Sequence, residues 1–438
     1  MTFPNPPFTL GENADKHLVE YLRNFDNFTY LEKPARKKIQ TLKQDLRQEY
    51  KILKELWPLV LTDALKRLKR HDCREWDKKN KNIRFDSFFH EHSLGVTELE
   101  KVFTGFTEFE GMLYGASPDR YRDHIAHAFR VWIIGHGILN NCFEWDLAID
   151  KGFEKKISEE EWQCMWAIAA LCHDVGYPLT AIEKINQQAR NTLRSLGLTP
   201  AGDLRFVFSQ QMLPFHDTII KLMSSKLVES AGEKPSESKY LTHLQNKYYL
   251  KLLKSFDKPD HGIASSLLIS KALVYFLESD LSHDNRSPLS EEDARQFLIR
   301  REILRAIAAH TCQDIYHLKF DTLSFLLYIV DELQCWGRPT LEELQHQSGG
   351  LRDAEAKIKK FSRTHIDIQI KTHDDIWDRD QKDGLNNQLD KLHRMLRLAV
   401  DTPTLSKELF FRLSIINNMG KEGEFFLTNG KITKKAVK

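Results

Sequence analysis

The feature that most constrains the fold of this chain is an adjacent histidine and aspartate, His173 and Asp174, at the end of an apolar segment. The apolar residues before the pair recur at helical spacing from Trp162 to Ala169. Gly176 and Pro178 then end the helix just beyond the pair. Because a buried aspartate without a partner is costly, a cation is one way to compensate it. The pattern predicts a buried helix that ends in a metal-binding pair.

The dipeptide alone is a weak signal. It also occurs at residues 71–72, 216–217, 283–284 and 373–374, where the same apolar helical context is absent. The context of the pair at 173–174, and not its composition, therefore singles it out as a candidate site.

Four further segments place a polar residue within the apolar frame of a predicted helix. His127 shares a face with Val131, Ile134 and Ile138 at spacings of four, three and four residues. His261 opens a helix after a proline, and His310 and Asp331 follow apolar residues at helical spacing. Acids almost never point into a protein core without a partner, so Asp331 is the most informative of these positions.

Composition limits the function classes. The chain has 438 residues, of which 41% are apolar and 29% charged, which is ordinary for a soluble protein of two or three domains. A net charge of +2 gives no global polybasic character that would by itself indicate nucleic-acid binding. No run of 18 apolar residues and no signal-peptide pattern occurs, so we expect a cytoplasmic protein without a membrane span. The six cysteines form no CxxC pair, and we expect them to be reduced.

The periodicity predicts a mainly α fold in three parts. Residues 1–120 form a helical N-terminal region, in which the basic run at 33–70 is interpreted as a solvated helix face. Residues 121–339 carry the candidate site, with a polar insertion at about 180–257 that includes a surface loop at 229–238. Residues 340–438 form a small α+β appendage. Its predicted elements are strands at 366–370, 409–416 and 424–427 and a helix at 388–400.

The order of these polar residues, His … His-Asp … His … His … Asp, resembles the HD-domain metal-dependent phosphohydrolase superfamily. The segments that carry the resemblance are Arg122-Asp-His-Ile-Ala-His-Ala-Phe-Arg-Val131, Leu171-Cys-His-Asp-Val-Gly176, His261-Gly-Ile-Ala-Ser-Ser-Leu-Leu268, Ile307-Ala-Ala-His-Thr311 and Tyr328-Ile-Val-Asp-Glu-Leu333. The resemblance spans about residues 121–339 and implies an HD-type helical bundle core. His92, in a segment similar to the first-histidine motif of the deoxynucleotide triphosphohydrolases, is a weaker candidate for the first ligand than His127.

Four histidines and two carboxylates suit first-row divalent ions, with Mn²⁺, Fe²⁺ or Ni²⁺ favoured and Zn²⁺ or Mg²⁺ as alternatives. The resemblance implies a binuclear set with Asp174 as the bridging carboxylate. The predicted metal ligands are His127, His173, Asp174, His261, His310 and Asp331. If the two extra histidines are not ligands, a single ion held by His127, His173, Asp174 and Asp331 remains.

Three residues outside the ligand set are candidates for substrate binding or proton transfer. Arg122 is a candidate for clamping phosphate, and His124 for protonating the leaving oxygen, so that Asp174, His124 and Arg122 form the predicted catalytic set. Arg338 is a second candidate for substrate binding. Cyclic-nucleotide phosphodiesterases carry a histidine at the place of Arg122, and this departure argues against cyclic-nucleotide specificity.

The predicted function is hydrolysis of a nucleotide or related phosphate ester by metal-activated water. Whether the enzyme is a phosphomonoesterase or a phosphodiesterase stays open. One alternative is an HD-type nuclease that acts on single-stranded nucleic acid. Another is a non-catalytic sensor or interaction protein in which a metal has a structural role.

Overall fold

Helix is the main secondary structure of the described residues, as predicted, and a smaller part of the chain forms strands. The computed structural model describes residues 8–11, 14–79, 96, 99–105, 124–142, 157–177, 190–197, 213–230, 239–257, 260–272, 288–289, 291–312, 314–315, 320–334, 355–372, 409–417, 422–428 and 431–435. None of the helices within these ranges has both the length and the apolar character that crossing a membrane requires.

The helices are numbered in chain order. They are α1 (Ala14–Leu22), α2 (Lys33–Thr41), α3 (Tyr50–Lys79), α4 (His124–Cys142), α5 (Glu159–Cys172), α6 (Leu213–Ser224), α7 (Asn246–Asp257), α8 (His261–Ala272), α9 (Glu291–Ala309) and α10 (Leu323–Leu333). Helices α4, α5, α8, α9 and α10 carry or adjoin the candidate site. Their apolar residues belong to one buried cluster that extends from the N-terminal helices to the C-terminal sheet.

Helices α4 and α5 cross at very short distance. A Cβ atom on Gly135 would lie 1.8 Å from Cζ2 of Trp166, so only glycine fits at this position of α4. The indole nitrogen of Trp166 donates to the carbonyl oxygen of Trp132 at 2.8 Å. This contact fixes the orientation of the helix that precedes His173 against the helix that contains His127.

Buried ion pairs attach other elements to this pair of helices. Helix α5 begins with a capping box, in which the Ser158 hydroxyl and the Glu161 carboxylate each accept a backbone N–H bond. The same Glu161 carboxylate is paired with Arg295 of α9. On the other side, Arg130 of α4 donates two hydrogen bonds, at 2.8 and 2.7 Å, to Asp15 of α1. Charge pairs therefore connect α4 to α1 and α5 to α9.

The strands form a six-stranded sheet and a separate hairpin. The strands are β1 (Phe8–Leu10), β2 (Ser225–Ser230), β3 (Lys239–Leu244), β4 (Glu355–Phe361), β5 (His365–Thr372), β6 (Phe410–Asn417), β7 (Glu422–Thr428) and β8 (Lys431–Lys435). The order in the large sheet is β1-β4-β5-β6-β7-β8, and only β5 and β6 are parallel neighbours. The three strands predicted in the C-terminal region are confirmed as β5, β6 and β7, whereas the helix predicted at 388–400 lies outside the described residues.

The N-terminal region is not helical throughout. Strand β1 pairs antiparallel with β4, with Phe8 opposite Ile358 and Leu10 opposite Ala356. Phe8, Leu10, Ala356 and Ile358 are all buried, so the short strand extends the apolar face of the sheet. Three residues give too little alternation for a sequence pattern to indicate a strand.

The insertion at about 180–257 contains a hairpin that the polar, irregular pattern did not predict. Strands β2 and β3 pair antiparallel, with Ser225 opposite Leu244 at one end and Ser230 opposite Lys239 at the other. Arg305 of α9 donates to the carbonyl oxygens of Met223 at 2.8 Å and Ser225 at 3.1 Å. These bonds hold the start of the hairpin on α9, the helix that ends next to His310.

Candidate metal centre

The six predicted metal ligands come from five helices and converge in the helical core. His127 lies on α4, Asp331 on α10, and His261 is the first residue of α8. His173 and Asp174 directly follow α5, and His310 directly follows α9. Three overlapping groups have ligand atoms within 4.8 Å of one another. They are His127–His173–Asp174, His173–His310–Asp331 and Asp174–His261–His310.

The first part of the cluster surrounds the Nε2 atom of His127. This atom lies 3.0 Å from Oδ1 of Asp331, 3.2 Å from Nε2 of His173 and 3.7 Å from Oδ2 of Asp174. Nε2 of His173 lies 3.3 Å from the same Asp174 oxygen. His127 and His173 are fully buried, and the Asp331 side chain keeps 20% of its surface exposed. Two imidazole nitrogens and two carboxylate oxygens thus point at one small volume.

The second part of the cluster lies on the other side of Asp174. Nε2 of His261 is 3.3 Å from Oδ1 of Asp174, and Nε2 of His310 is 3.7 Å from the same oxygen. His310 is buried, whereas the His261 side chain is 24% exposed. The Nε2 atom of His310 has no hydrogen-bond partner among the described residues. A buried nitrogen of this kind is costly unless something binds it, and a metal ion is a suitable partner.

Asp174 connects the two parts through different oxygens. Its Oδ2 atom faces His127 and His173, and its Oδ1 atom faces His261 and His310. Nitrogen and carboxylate donors of this composition can hold a divalent metal ion.

Hydrogen bonds orient three of the imidazoles toward the centre. The Nδ1 atoms of His127, His173 and His310 each bond an oxygen acceptor. These acceptors are the side-chain oxygen of Gln334 and the carbonyl oxygens of Ala170 and Ile307. An oxygen acceptor requires the proton on Nδ1, which leaves the Nε2 lone pair for the centre.

The charges of the cluster are coupled. Burial acts to raise the pKa of the Asp174 carboxyl, but the neighbouring imidazoles of His173, His124 and His261 hold that pKa well below its usual range. Burial acts to lower the pKa of His173, and the carboxylates of Asp174 and Asp331 outweigh burial and raise it. Asp174 is therefore ionised at neutral pH and available to a cation.

The turn that carries His173 and Asp174 is pressed against the start of α8. The Ser265 hydroxyl donates to the His173 carbonyl oxygen at 2.6 Å and accepts from the Gly176 N–H at 2.8 Å. A Cβ atom on Gly176 would lie 2.5 Å from the Ser265 nitrogen and 2.6 Å from the His261 carbonyl oxygen. Glycine at 176 therefore permits the close approach that brings His261 to Asp174.

Of the residues predicted for substrate binding or proton transfer, the structure describes His124. This buried histidine is the first residue of α4, and its Nδ1 atom lies 3.4 Å from Oδ2 of Asp174. Arg122, Arg338 and the weaker ligand candidate His92 lie outside the described residues. The roles suggested for the two arginines stay predictions.

Sequence reasoning missed Tyr177 and Gln334. The centroid of the Tyr177 ring lies 4.7 Å from that of the His124 ring and 5.5 Å from that of the His261 ring. The sequence offered one signal for Tyr177, which lies three residues after Asp174 and just beyond the end of the helix. Gln334 bonds His127 and lies one helical turn after Asp331, a spacing at which two side chains share a face.

A comparison within the chain supports the choice of His-Asp pair. In the pair at 216–217, His216 packs against the rings of Phe215 and Phe256, while Asp217 bonds Tyr249 and Lys221 on the surface. Neither residue belongs to the groups of described residues that could hold a metal ion. The side chains of the pairs at 71–72, 283–284 and 373–374 lie outside the described part of the chain.

Comparisons of the chain with models of protein families, with curated proteins and with solved structures find no match.

Proposed function

We propose that this chain is an HD-type metal-dependent phosphohydrolase that hydrolyses a nucleotide or a related phosphate ester. The observation that carries the proposal is the position of Asp174, whose two oxygens face two different pairs of histidines. A carboxylate in this position suits a bridge between two cations, because each oxygen has its own set of nitrogen donors.

In this proposal the first divalent ion is held by His127, His173, Asp174 and Asp331. The second is held by Asp174, His261 and His310. Mixed imidazole and carboxylate donors favour Mn²⁺, Fe²⁺ or Ni²⁺. Divalent ions in such a site supply charge neutralisation of phosphoryl oxygens and lower the pKa of water.

The partly exposed members of the cluster indicate where substrate enters. Asp331 and His261 keep 20% and 24% of their side chains exposed, whereas His127, His173 and His310 are buried. We propose that a phosphate group approaches along the side of Asp331 and His261. Because the Tyr177 ring lies against His261, it forms part of the same side of the site.

His124 is the proposed proton donor to the leaving oxygen. Its imidazole lies beside the cluster, with Nδ1 at 3.4 Å from Oδ2 of Asp174, and its ring contacts Tyr177. A general acid must lie within reach of the leaving oxygen, and this position places His124 beside the proposed metal ligands. Asp174 thus serves the cations and His124 at the same time.

The test combines metal analysis with an activity screen. The purified full chain should contain about two divalent ions per molecule and release phosphate or a nucleotide from a panel of nucleotides and phosphate esters with Mn²⁺ added. Asp174→Ala should lose bound metal and lower hydrolysis at least about a thousandfold, since a metal site supplies several kcal/mol of transition-state stabilisation. Circular dichroism checks that the variant is folded.

Asp217→Ala is the matched control, because it removes the aspartate of a second His-Asp pair outside the cluster. It should keep the metal content and activity of the wild type. A wild-type protein that binds no divalent metal and hydrolyses no member of the panel contradicts the proposal, as does full activity of Asp174→Ala.

A further inference from the structure

His261 and His310 lie at helix ends, whereas His127 and Asp331 lie within helices. His261 is the first residue of α8, and His310 follows the last residue of α9. Helix ends leave backbone groups unpaired and fray unless something caps them. The 3.3 and 3.7 Å distances to Asp174 therefore need an additional constraint on both helix ends.

Asp260 supplies such a constraint through both carboxylate oxygens. Its Oδ1 atom accepts hydrogen bonds from the Gly262 N–H, at 3.0 Å, and from the Thr311 hydroxyl. Its Oδ2 atom accepts from the Ser255 hydroxyl at 2.8 Å. Asp260 thus caps the start of α8 and bonds a residue just past the end of α9. Asp260 directly precedes His261, and Thr311 directly follows His310.

The contact between the two helix ends is too close to shift freely. The Gly262 N–H also bonds the Thr311 hydroxyl oxygen at 3.2 Å. A Cβ atom on Gly262 would lie 2.5 Å from that oxygen and 2.6 Å from the Ile307 carbonyl oxygen. Asp260, Gly262 and Thr311 therefore form a closed hydrogen-bonded unit, which we call the 260–311 clamp.

We propose that Asp260, acting through the 260–311 clamp, is a positioning residue that sets His261 and His310 for the second of two divalent ions. This inference rests on the proposed function. The clamp bonds the main chain and Thr311, and it leaves both imidazoles to the cation. The first ion depends less on the clamp, since two of its proposed ligands, His127 and Asp331, lie within α4 and α10 and not at the ends of α8 and α9.

The experiment counts bound metal. Wild-type protein, Thr311→Val and Asp260→Ala are dialysed against graded Mn²⁺, and bound Mn²⁺ is measured by elemental analysis. Electron paramagnetic resonance reports whether two Mn²⁺ ions in one molecule are magnetically coupled. Both variants should keep one tightly bound ion, lose the coupled signal and bind the second ion roughly 10- to 100-fold more weakly, the range for loss of a residue that supports a ligand.

Two controls separate the clamp from general destabilisation. Thr311→Ser keeps the hydroxyl and should restore both ions. Ser255→Ala removes the donor to Oδ2 but leaves the bonds of Oδ1, and it should also bind two coupled ions. If Asp260→Ala does not fold, the isosteric Thr311→Val decides the result.

The outcomes distinguish this inference from the proposed function. Two ions in the wild type and in Thr311→Val, with equal affinity, overturn the role of the clamp and leave the proposed function intact. A wild type that binds no Mn²⁺ at all overturns both. Loss of the second ion alone in Thr311→Val and its recovery in Thr311→Ser support the proposal.

Discussion

Two of the three buried histidines of helix α4, His127 and His136, lie nine residues apart in different surroundings. His127 faces the carboxylates of Asp174 and Asp331. His136 is hydrogen-bonded to the Tyr21 hydroxyl at 3.0 Å and stacks on the Phe28 ring at 3.9 Å between centroids. Both are 0% exposed. Burial therefore does not separate a metal-ligand candidate from a core histidine, whereas the charge of the partners does.

The different partners have opposite electrostatic consequences. In the apolar and neutral surroundings of His136, burial lowers the pKa of the imidazole to about 3, so this histidine is neutral throughout the physiological range. Around His173, which contacts His127, the carboxylates outweigh burial and raise the pKa. The two ends of one helix thus contain a structural histidine and a charged cluster that favours a cation.

The largest expected effect is the difference in metal binding between two variants in which His127 or His136 is replaced by glutamine. His127→Gln should weaken metal binding by more than about 100-fold, because a direct ligand contributes more than the residues that support it. His136→Gln should leave metal content unchanged and lower the free energy of unfolding by about 1–3 kcal/mol through its lost polar contacts. Dialysis with metal analysis and thermal unfolding measure the two effects. Equal loss of metal in both variants would contradict the distinction.

A smaller effect is expected where the turn after α5 touches α8. Gly176→Ala places a Cβ atom against backbone atoms of Ser265 and His261, which cannot move independently. We expect a loss of about 1–3 kcal/mol in the free energy of unfolding, together with weaker metal binding. Denaturant titration with and without Mn²⁺ measures both.

Gly105→Ala is the control for this prediction. No atom of the residues that the structure describes lies within 4 Å of the added Cβ, and Gly105 is helical. Its effect should stay within about 1 kcal/mol and tend toward stabilisation. Similar destabilisation by both alanines would show that close packing at 176 is not the cause.

The last expected effect vanishes at neutral pH and appears only as a difference in pH dependence at acidic pH. The pKa of His136 is lowered in the folded state to about 3, against roughly 6.5 when unfolded. The unfolded state therefore binds the proton first as pH falls, and stability decreases between about pH 6.5 and 3, by up to roughly 1.4 kcal/mol per pH unit. In His136→Gln this contribution is absent, so its stability should fall less steeply in that window.

Above pH 6.5 the two proteins should show parallel stability curves, because His136 is neutral in both states there. Chemical denaturation at a series of pH values measures the slopes. Identical slopes of the two proteins in the acidic window would be inconsistent with a buried neutral His136.

Apolar periodicity predicted helices around the candidate residues, and the resemblance of the order of six polar residues to a known family implied that they converge. Apolar residues at helical spacing surround His127, His310 and Asp331, and the structure brings these side chains to the pair at 173–174. Three strands of the large sheet were also predictable, since alternation such as that of Ile366, Ile368 and Ile370 in β5 is local information.

The missed features depend on contacts between distant residues. Strand β1 exists because of its pairing with β4, and β4 itself carries three lysines, at 357, 359 and 360, that weaken its apolar alternation. The 260–311 clamp joins residues 51 positions apart, and the bond between His127 and Gln334 spans 207. No local pattern encodes such pairings, so the support of the site required the folded chain.

The pairing of β1 with β4 has a consequence for biosynthesis. Phe8–Leu10 are synthesised about 350 residues before Ala356–Ile358. At roughly 5–20 residues per second the early strand waits about 20 to 70 s for its neighbour. The helices that the structure describes, α1 to α10, are all translated within that interval. The large sheet is therefore finished late, and a ribosome that stalls before residue 355 leaves two apolar side chains, Phe8 and Leu10, for chaperones to shield.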